Sequence, residues 1–145
     1  MAQVIQSNLT DIGIKTSIQI VSVATFYSMG PGHQVQLGLD GWSPDYPDPD
    51  SHAYLLYYST STENFSFYKS GEIDRLLDKG RSVTSQDERE VIYRQFHQMV
   101  HELCTQVYVT QTQFVRPMQT WVKGFYFNAA VATPLTPFHV MWVEK

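Results

Sequence analysis

Residues 41–54 read GWSPDYPDPDSHAY and place Pro44, Pro47 and Pro49 within six positions. Each proline fixes φ and removes a backbone donor, so neither a helix interior nor a central strand can run through this stretch. It is a stiff loop that carries the rings of Trp42, Tyr46 and Tyr54 and the carboxylates of Asp45, Asp48 and Asp50. Such a loop either presents groups to a ligand from a rigid scaffold or is a surface turn whose aspartates only keep it soluble. Local sequence alone leaves both readings open.

The flanking patterns predict alternating helices and strands. Val4, Ile5, Leu9 and Ile12 fall on one helical face, and Gly13 is suited to a left-handed cap. IKTSIQIVSV then alternates apolar Ile14, Ile18 and Ile20 against Lys15, Ser17 and Gln19, which is strand spacing. ATFYSM reads as a short helix stopped by Gly30–Gly32, and HQVQLGLDGW as a second strand leading into the loop. The predicted class is α/β, with the loop at a strand's C-terminal end, where open α/β sheets bind ligands. Beyond the loop, SHAYLLYYS fits helix or strand. KSGEIDRLLDKGR is a helix capped by Ser70, with Ile73, Leu76 and Leu77 inward and Gly80 closing it. The clearest element is TSQDEREVIYRQFHQMVHELC. Ser85 and Glu88 have capping-box spacing, and Ile92, Phe96, Met99 and Leu103 form a stripe that Val91 and Val100 widen. From Thr105 the chain turns β-rich, with TPLTP as a break, so Thr105 is the one candidate boundary.

Composition removes several function classes. The chain has 145 residues, 43% of them hydrophobic, enough for one core. A net charge of −4 argues against a nucleic-acid footprint, and no apolar run nears the roughly 18 residues of a membrane span. Cys104, the one cysteine, reads as a small buried hydrophobe at a helix end. No export signal precedes the first helix, which suggests a cytosolic protein or an excised piece with an initiator Met.

His33, His52, His97, His101 and His139 raise a metal reading, because His97 and His101 share a helix face. The H-E-x-x-H pattern is missing, however, and a solvated or interface face is the better reading. Asp48 and Asp50 have calcium-loop spacing, but Ser59 stands where a bidentate Glu belongs, so no metal is expected. No nucleophile elbow, dinucleotide fingerprint or phosphate loop is found, so neither an enzyme nor a cofactor is expected. Between Lys15 and Lys69 there is no Lys or Arg, whereas Asp40, Asp45, Asp48, Asp50 and Glu63 all fall there. Carboxylates among aromatic rings predict a cationic or hydrogen-bond-donating ligand.

GWSPDYPDPDSHAY, then GEIDRLLDKGRSVTSQDEREVIYRQFHQMVHE, then WVKGFYFN resemble, in that order, the C-terminal part of the dipeptide/oligopeptide class of ABC-transporter solute-binding proteins, family 5. The resemblance implies a C-terminal lobe portion of a periplasmic-binding-protein type II fold. Residues 1–104 would belong to the second lobe, and 105–145 to a hinge crossing and a β-rich tail returning to a first lobe outside this fragment. It implies a non-enzymatic protein of the bacterial periplasm, or a cell-surface lipoprotein, that captures small peptides for a membrane permease. By that resemblance Asp45 would hold the peptide's α-amino group beside Trp42, Ser43 and Tyr46, while Pro44, Pro47, Asp48 and Asp50 shape the loop. Val35, Leu37 and Leu39 stand where some oligopeptide binders place an Arg for the ligand carboxylate.

Two alternatives stay open: an oligosaccharide or metal-complex carrier, with Trp42, Tyr46 and Tyr54 stacking on sugar rings, and a hydrolase using Asp45 and a second carboxylate. Val107, Val109, Phe114, Trp121, Phe125, Phe127, Phe138, Met141 and Trp142 give the segment after Thr105 an apolar surface. The chain is therefore expected to self-associate as a dimer through it.

Overall fold

The computed structural model describes residues 1–30, 34–111, 113, 115–127 and 138–144. Helices α1 (Ala2–Asp11), α2 (Val23–Met29), α3 (Asp50–Tyr57), α4 (Gly71–Ser82) and α5 (Gln86–Leu103) are followed by strands β1 (Val122–Lys123) and β2 (Trp142–Val143). The chain forms two compact units, Met1–Gly41 and Trp42–Lys145.

In the first unit α1 ends as its sequence requires. Gly13 has φ +85°, its N–H bonds Thr10 O at 2.9 Å, and the Ile14 N–H reaches back to Leu9 O at 2.8 Å. This is the paired closure of a Schellman motif, which satisfies carbonyls the helix leaves open. Ile5 and Leu9 are half-buried, but Val4 and Ile12 are exposed, so the inward face is narrower than the spacing suggested. Gln6 Nε2 donates to Thr16 O at 2.8 Å and ties the next segment to α1. Ser22 caps α2 by accepting from Thr25 N at 3.1 Å. Tyr27 Oη donates to Asp40 Oδ2 at 3.3 Å.

The two strands expected here are not observed. Residues 14–22 and 34–41 join no ladder, and Ile14, Ile18, Ile20, Leu37 and Leu39 are exposed. Alternation equips a segment to pair, but a strand also needs a neighbour, and none is present among the described residues. Pro31, Gly32 and His33 lie outside the described residues.

The core lies in the second unit. Ala53 and Tyr57 from α3, Ile73 and Leu77 from α4, and Tyr93, Phe96 and Val100 from α5 form one buried cluster. The ambiguous SHAYLLYYS segment is helical, and its Tyr57 ring meets Phe96 edge-on at 5.2 Å. Ser70 and Ser85 cap α4 and α5 through Ile73 N and Glu88 N. Gly80 does not close α4, which runs on to Ser82. It is buried, and a Cβ there would lie 2.9 Å from the Tyr93 ring. Tyr93 therefore belongs to the α5 stripe, from which Val91 and Leu103 are excluded by exposure. Cys104 is exposed rather than buried. It sits in the left-handed C-cap position at φ +49°, outside the buried face of α5.

The tail is less β-rich than its composition. Among the described residues only Val122↔Val143 and Lys123↔Trp142 pair, antiparallel. Gly124 follows at φ +78°, where a Cβ would come 2.1 Å from Val140 O, so only glycine fits this approach. Val107, Val109 and Trp121 are exposed. Tyr57 Oη bonds Gln106 Oε1 at 3.1 Å and the Tyr108 hydroxyl, fastening the start of the tail to α3. Phe114 and the TPLTP break lie outside the described residues.

Two ion pairs fasten the proline-rich loop and the start of α3 to α4 and α5. Arg89 of α5 forks onto Asp48, with Nη1 to Oδ2 at 2.8 Å and Nη2 to Oδ1 at 2.7 Å. Its Nε donates to Gly80 O on α4 at 3.1 Å. Arg81 Nε reaches Asp50, 3.0 Å from Oδ1 and donating to Oδ2 at 3.2 Å, and its guanidinium lies 3.6 Å over the Tyr54 ring.

Gly80→Ala tests the α4–α5 contact. At an open helical site the change would stabilise by about 1 kcal/mol. Against the enclosed Tyr93 ring, overpacking costs about 1–3 kcal/mol, so denaturant unfolding should show a net loss. A gain would place Gly80 away from Tyr93. Asp48 gives a pH test. Its hydrogen bonds from Arg89 hold its carboxyl below the usual value of 3.8, against a smaller opposing effect of burial. A depressed native pKa adds stability that is fully present above the unfolded value and lost as pH falls through the folded one. Acidification from pH 5 to below pH 3.8 should therefore weaken the protein, and Asp48→Asn should reduce that acid limb. An unchanged limb would remove Asp48 from the acid response.

Candidate functional site

The loop that begins the second unit has no strand ladder to hold it, so side chains and turn bonds set its course. Asp48 N donates to Tyr46 O at 2.8 Å, and Asp50 N donates to Asp48 Oδ1 at 2.9 Å. The second is an Asx-type bond that mimics a backbone turn. Asp45 N donates to Ser51 Oγ at 2.9 Å, and the Trp42 indole Nε1–H donates to Ser51 O at 3.3 Å. Tyr46 Oη donates to Asp50 Oδ2 at 2.8 Å. That bond to a carboxylate, with burial behind it, pushes the Tyr46 phenol above its usual value.

The three loop carboxylates are thereby sorted. Asp48 is paired with Arg89, and buried Asp50 with Arg81 and Tyr46. Asp45 is exposed, and its carboxylate has no partner among the described residues. Trp42 is half-buried, Pro44 half-buried, and Ser43 and Pro47 exposed. Tyr46 keeps an exposed ring although its hydroxyl is engaged. Tyr54 faces elsewhere in its contacts: it stacks on Tyr58 at 4.2 Å and under Arg81.

Sequence reasoning missed Arg81 and Arg89, because the gap in basic residues between Lys15 and Lys69 is a property of the chain order only. One signal was available. Arg89 lies three and four positions before Ile92 and Tyr93, and Arg81 four after Leu77. Both spacings put the arginine next to the apolar stripe of its helix, and the partly buried Arg89 in particular needs an acid to meet.

In α3, burial and then the nearby charge of His97 in α5 lower the His52 pKa. No cluster of three or more His, Cys, Asp or Glu able to hold a metal occurs among the described residues. An open depression of about 370 Å³ is lined by Pro49, Arg89, Tyr93 and His97, among others, but not by Asp45 or Trp42. Of the two arginines lining it, Arg89 is bound to Asp48 and Arg94 to Glu90.

Residues 1–64 match the family described as bacterial extracellular solute-binding proteins, family 5 Middle. Over 128 residues the chain is 30% identical to the probable D,D-dipeptide-binding periplasmic protein DdpA of Escherichia coli (strain K12), covering 85% of this chain and 24% of that protein. Heme-binding protein A of Haemophilus influenzae is 28% identical over 127 residues, covering 86% of this chain and 23% of its own length. The solved ABC transporter-associated periplasmic binding protein DppA from Helicobacter pylori, in complex with peptide STSA, superposes with a TM-score of 0.86 at 28% identity. It covers 99% of this chain, which in turn spans 28% of it. The chain thus spans about a quarter of the length of the relatives it matches. Over residues 1–64 it matches the bacterial extracellular solute-binding proteins, family 5, and over most of its length it is similar to the relatives named above.

Proposed function

We propose that the protein carrying this chain captures small peptides in the bacterial periplasm and delivers them to an ABC-transporter permease. Asp45 holds the free α-amino group in this reading, Trp42 walls it, and Ser43 and Tyr46 complete the contacts. The observation that carries it is the sorting of carboxylates: Asp48 and Asp50 are neutralised by arginines, and Asp45 is exposed and unpaired among the described residues. An enclosed ammonium requires such a partner, since an unpaired buried charge is strongly unfavourable. The likeness to a DppA solved with a bound peptide supports the ligand class. Residues 1–104 are assigned to the second lobe and 105–145 to a crossing that returns to the first.

In the complete protein, Asp45→Asn keeps shape and removes charge. Calorimetry should show free-amine peptides losing about 3–5 kcal/mol of binding, the scale of breaking one enclosed charge pair, with N-acetylated peptides nearly unaffected. Equal losses would mean that Asp45 supports the loop instead. The heme-binding relative motivates one competing reading, a metal-complex carrier. A thermal-shift response to heme with none to peptides would favour it.

The isolated 145-residue chain should also self-associate, as a dimer through the segment after Thr105. Exposed Val107, Val109, Trp121, Phe127, Phe138 and Trp142 supply the apolar contact. Light scattering at micromolar concentration checks this, and a clean monomer would refute it.

A further inference from the structure

Ser51 is the second residue of α3 and is 0% exposed, the most deeply buried polar residue among those described. A serine inside a helix is a weaker helix former than alanine and often turns its hydroxyl back on the helix's own carbonyls. Here the hydroxyl faces out of the helix and accepts the Asp45 N–H at 2.9 Å. The same residue's carbonyl accepts the Trp42 indole N–H at 3.3 Å. One buried residue therefore holds the backbone of Asp45 and the ring of Trp42, from six and nine positions further along the chain.

The Asp45 tether has no substitute nearby. Pro44 has no N–H to offer, and the loop joins no ladder that could take one. Arg89 and Arg81 act later, on Asp48 and Asp50, and leave the Asp45 backbone untouched. Without the Ser51 oxygen, the Asp45 N–H would turn to water, and the carboxylate would point through a wider range of directions. Displacing a charged group from its partner by even a fraction of an ångström weakens a directional ammonium bond.

We propose that Ser51 is a positioning residue for amine recognition, setting Asp45 and Trp42 in register without touching the ligand. This rests on the reading of Asp45 as the amine-binding group, and the test below separates the two. In the complete protein, Ser51→Ala removes only the hydroxyl oxygen and suits the helix. Hydrogen exchange read on the peptide spanning residues 42–50 is sensitive to the tether, because three of those residues are proline and carry no amide. Exchange at Asp45 should accelerate. Affinity for trialanine should fall roughly tenfold, the scale of one hydrogen bond, with N-acetyl-trialanine unchanged and the unfolding midpoint little moved.

Ser51→Cys keeps the side-chain size with a weaker acceptor and should fall between wild type and alanine, which serves if the alanine variant is poorly folded. Unchanged exchange in both variants overturns the proposal, and so does an equal affinity loss for the two peptides. If wild type does not distinguish trialanine from its acetylated form, the amine reading of Asp45 fails. The exchange data then decide alone whether Ser51 tethers the loop.

Discussion

A single guanidinium joins the parts of the second unit that matter for its loop. Arg89 grips Asp48 with two parallel bonds, donates its remaining Nε–H to Gly80 O, and lies 5.5 Å over the Tyr93 ring. Its three kinds of contact reach the loop, α4 and α5 at once. A planar fork suits this in a way that a lysine ammonium would not, because it meets a carboxylate bidentately and keeps a third direction for a carbonyl. The glycine at position 80 is part of the same arrangement: its missing Cβ lets Tyr93 approach α4.

From that anchor the loop's electrostatics follow. A segment holding three aspartates and no base looks uniformly anionic in sequence. In the fold, two of the three are spent on structure. Asp50, 7% exposed, would be a costly buried charge without Arg81 and Tyr46. Asp48 is held ionised by Arg89. The remaining carboxylate, Asp45, is held through its backbone rather than its side chain, which leaves it exposed and without a partner among the described residues.

The first unit shows what strand-forming sequence looks like without a neighbour to pair with. No hydrophobic side chain among its described residues is fully buried, and its alternating segments run without partners. Sheets are stabilised by cross-strand pairs, so strand-forming residues with no neighbour remain exposed. The tail repeats this pattern, with four paired residues among those described in a segment of strongly β-forming composition.

Local signals were therefore legible wherever their physics is local. Gly13 ends α1, Ser70 and Ser85 cap their helices, and the prolines at 44, 47 and 49 keep regular structure out of the loop before α3. Each of these depends on contacts within a few residues, and the α5 stripe depends on a period that the sequence repeats. The family motifs were readable for the same reason, since they combine caps, turns and stripes in a set order. What only the tertiary structure decided was which charges meet. Asp48 and Arg89 are 41 positions apart, and Asp50 and Arg81 are 31 apart. Helix packing brings them within 3 Å or so, and nothing in their immediate neighbours encodes that approach. Ser51 belongs to the same class, because a serine in a helix reads as a minor flaw until the loop that it tethers is folded against it.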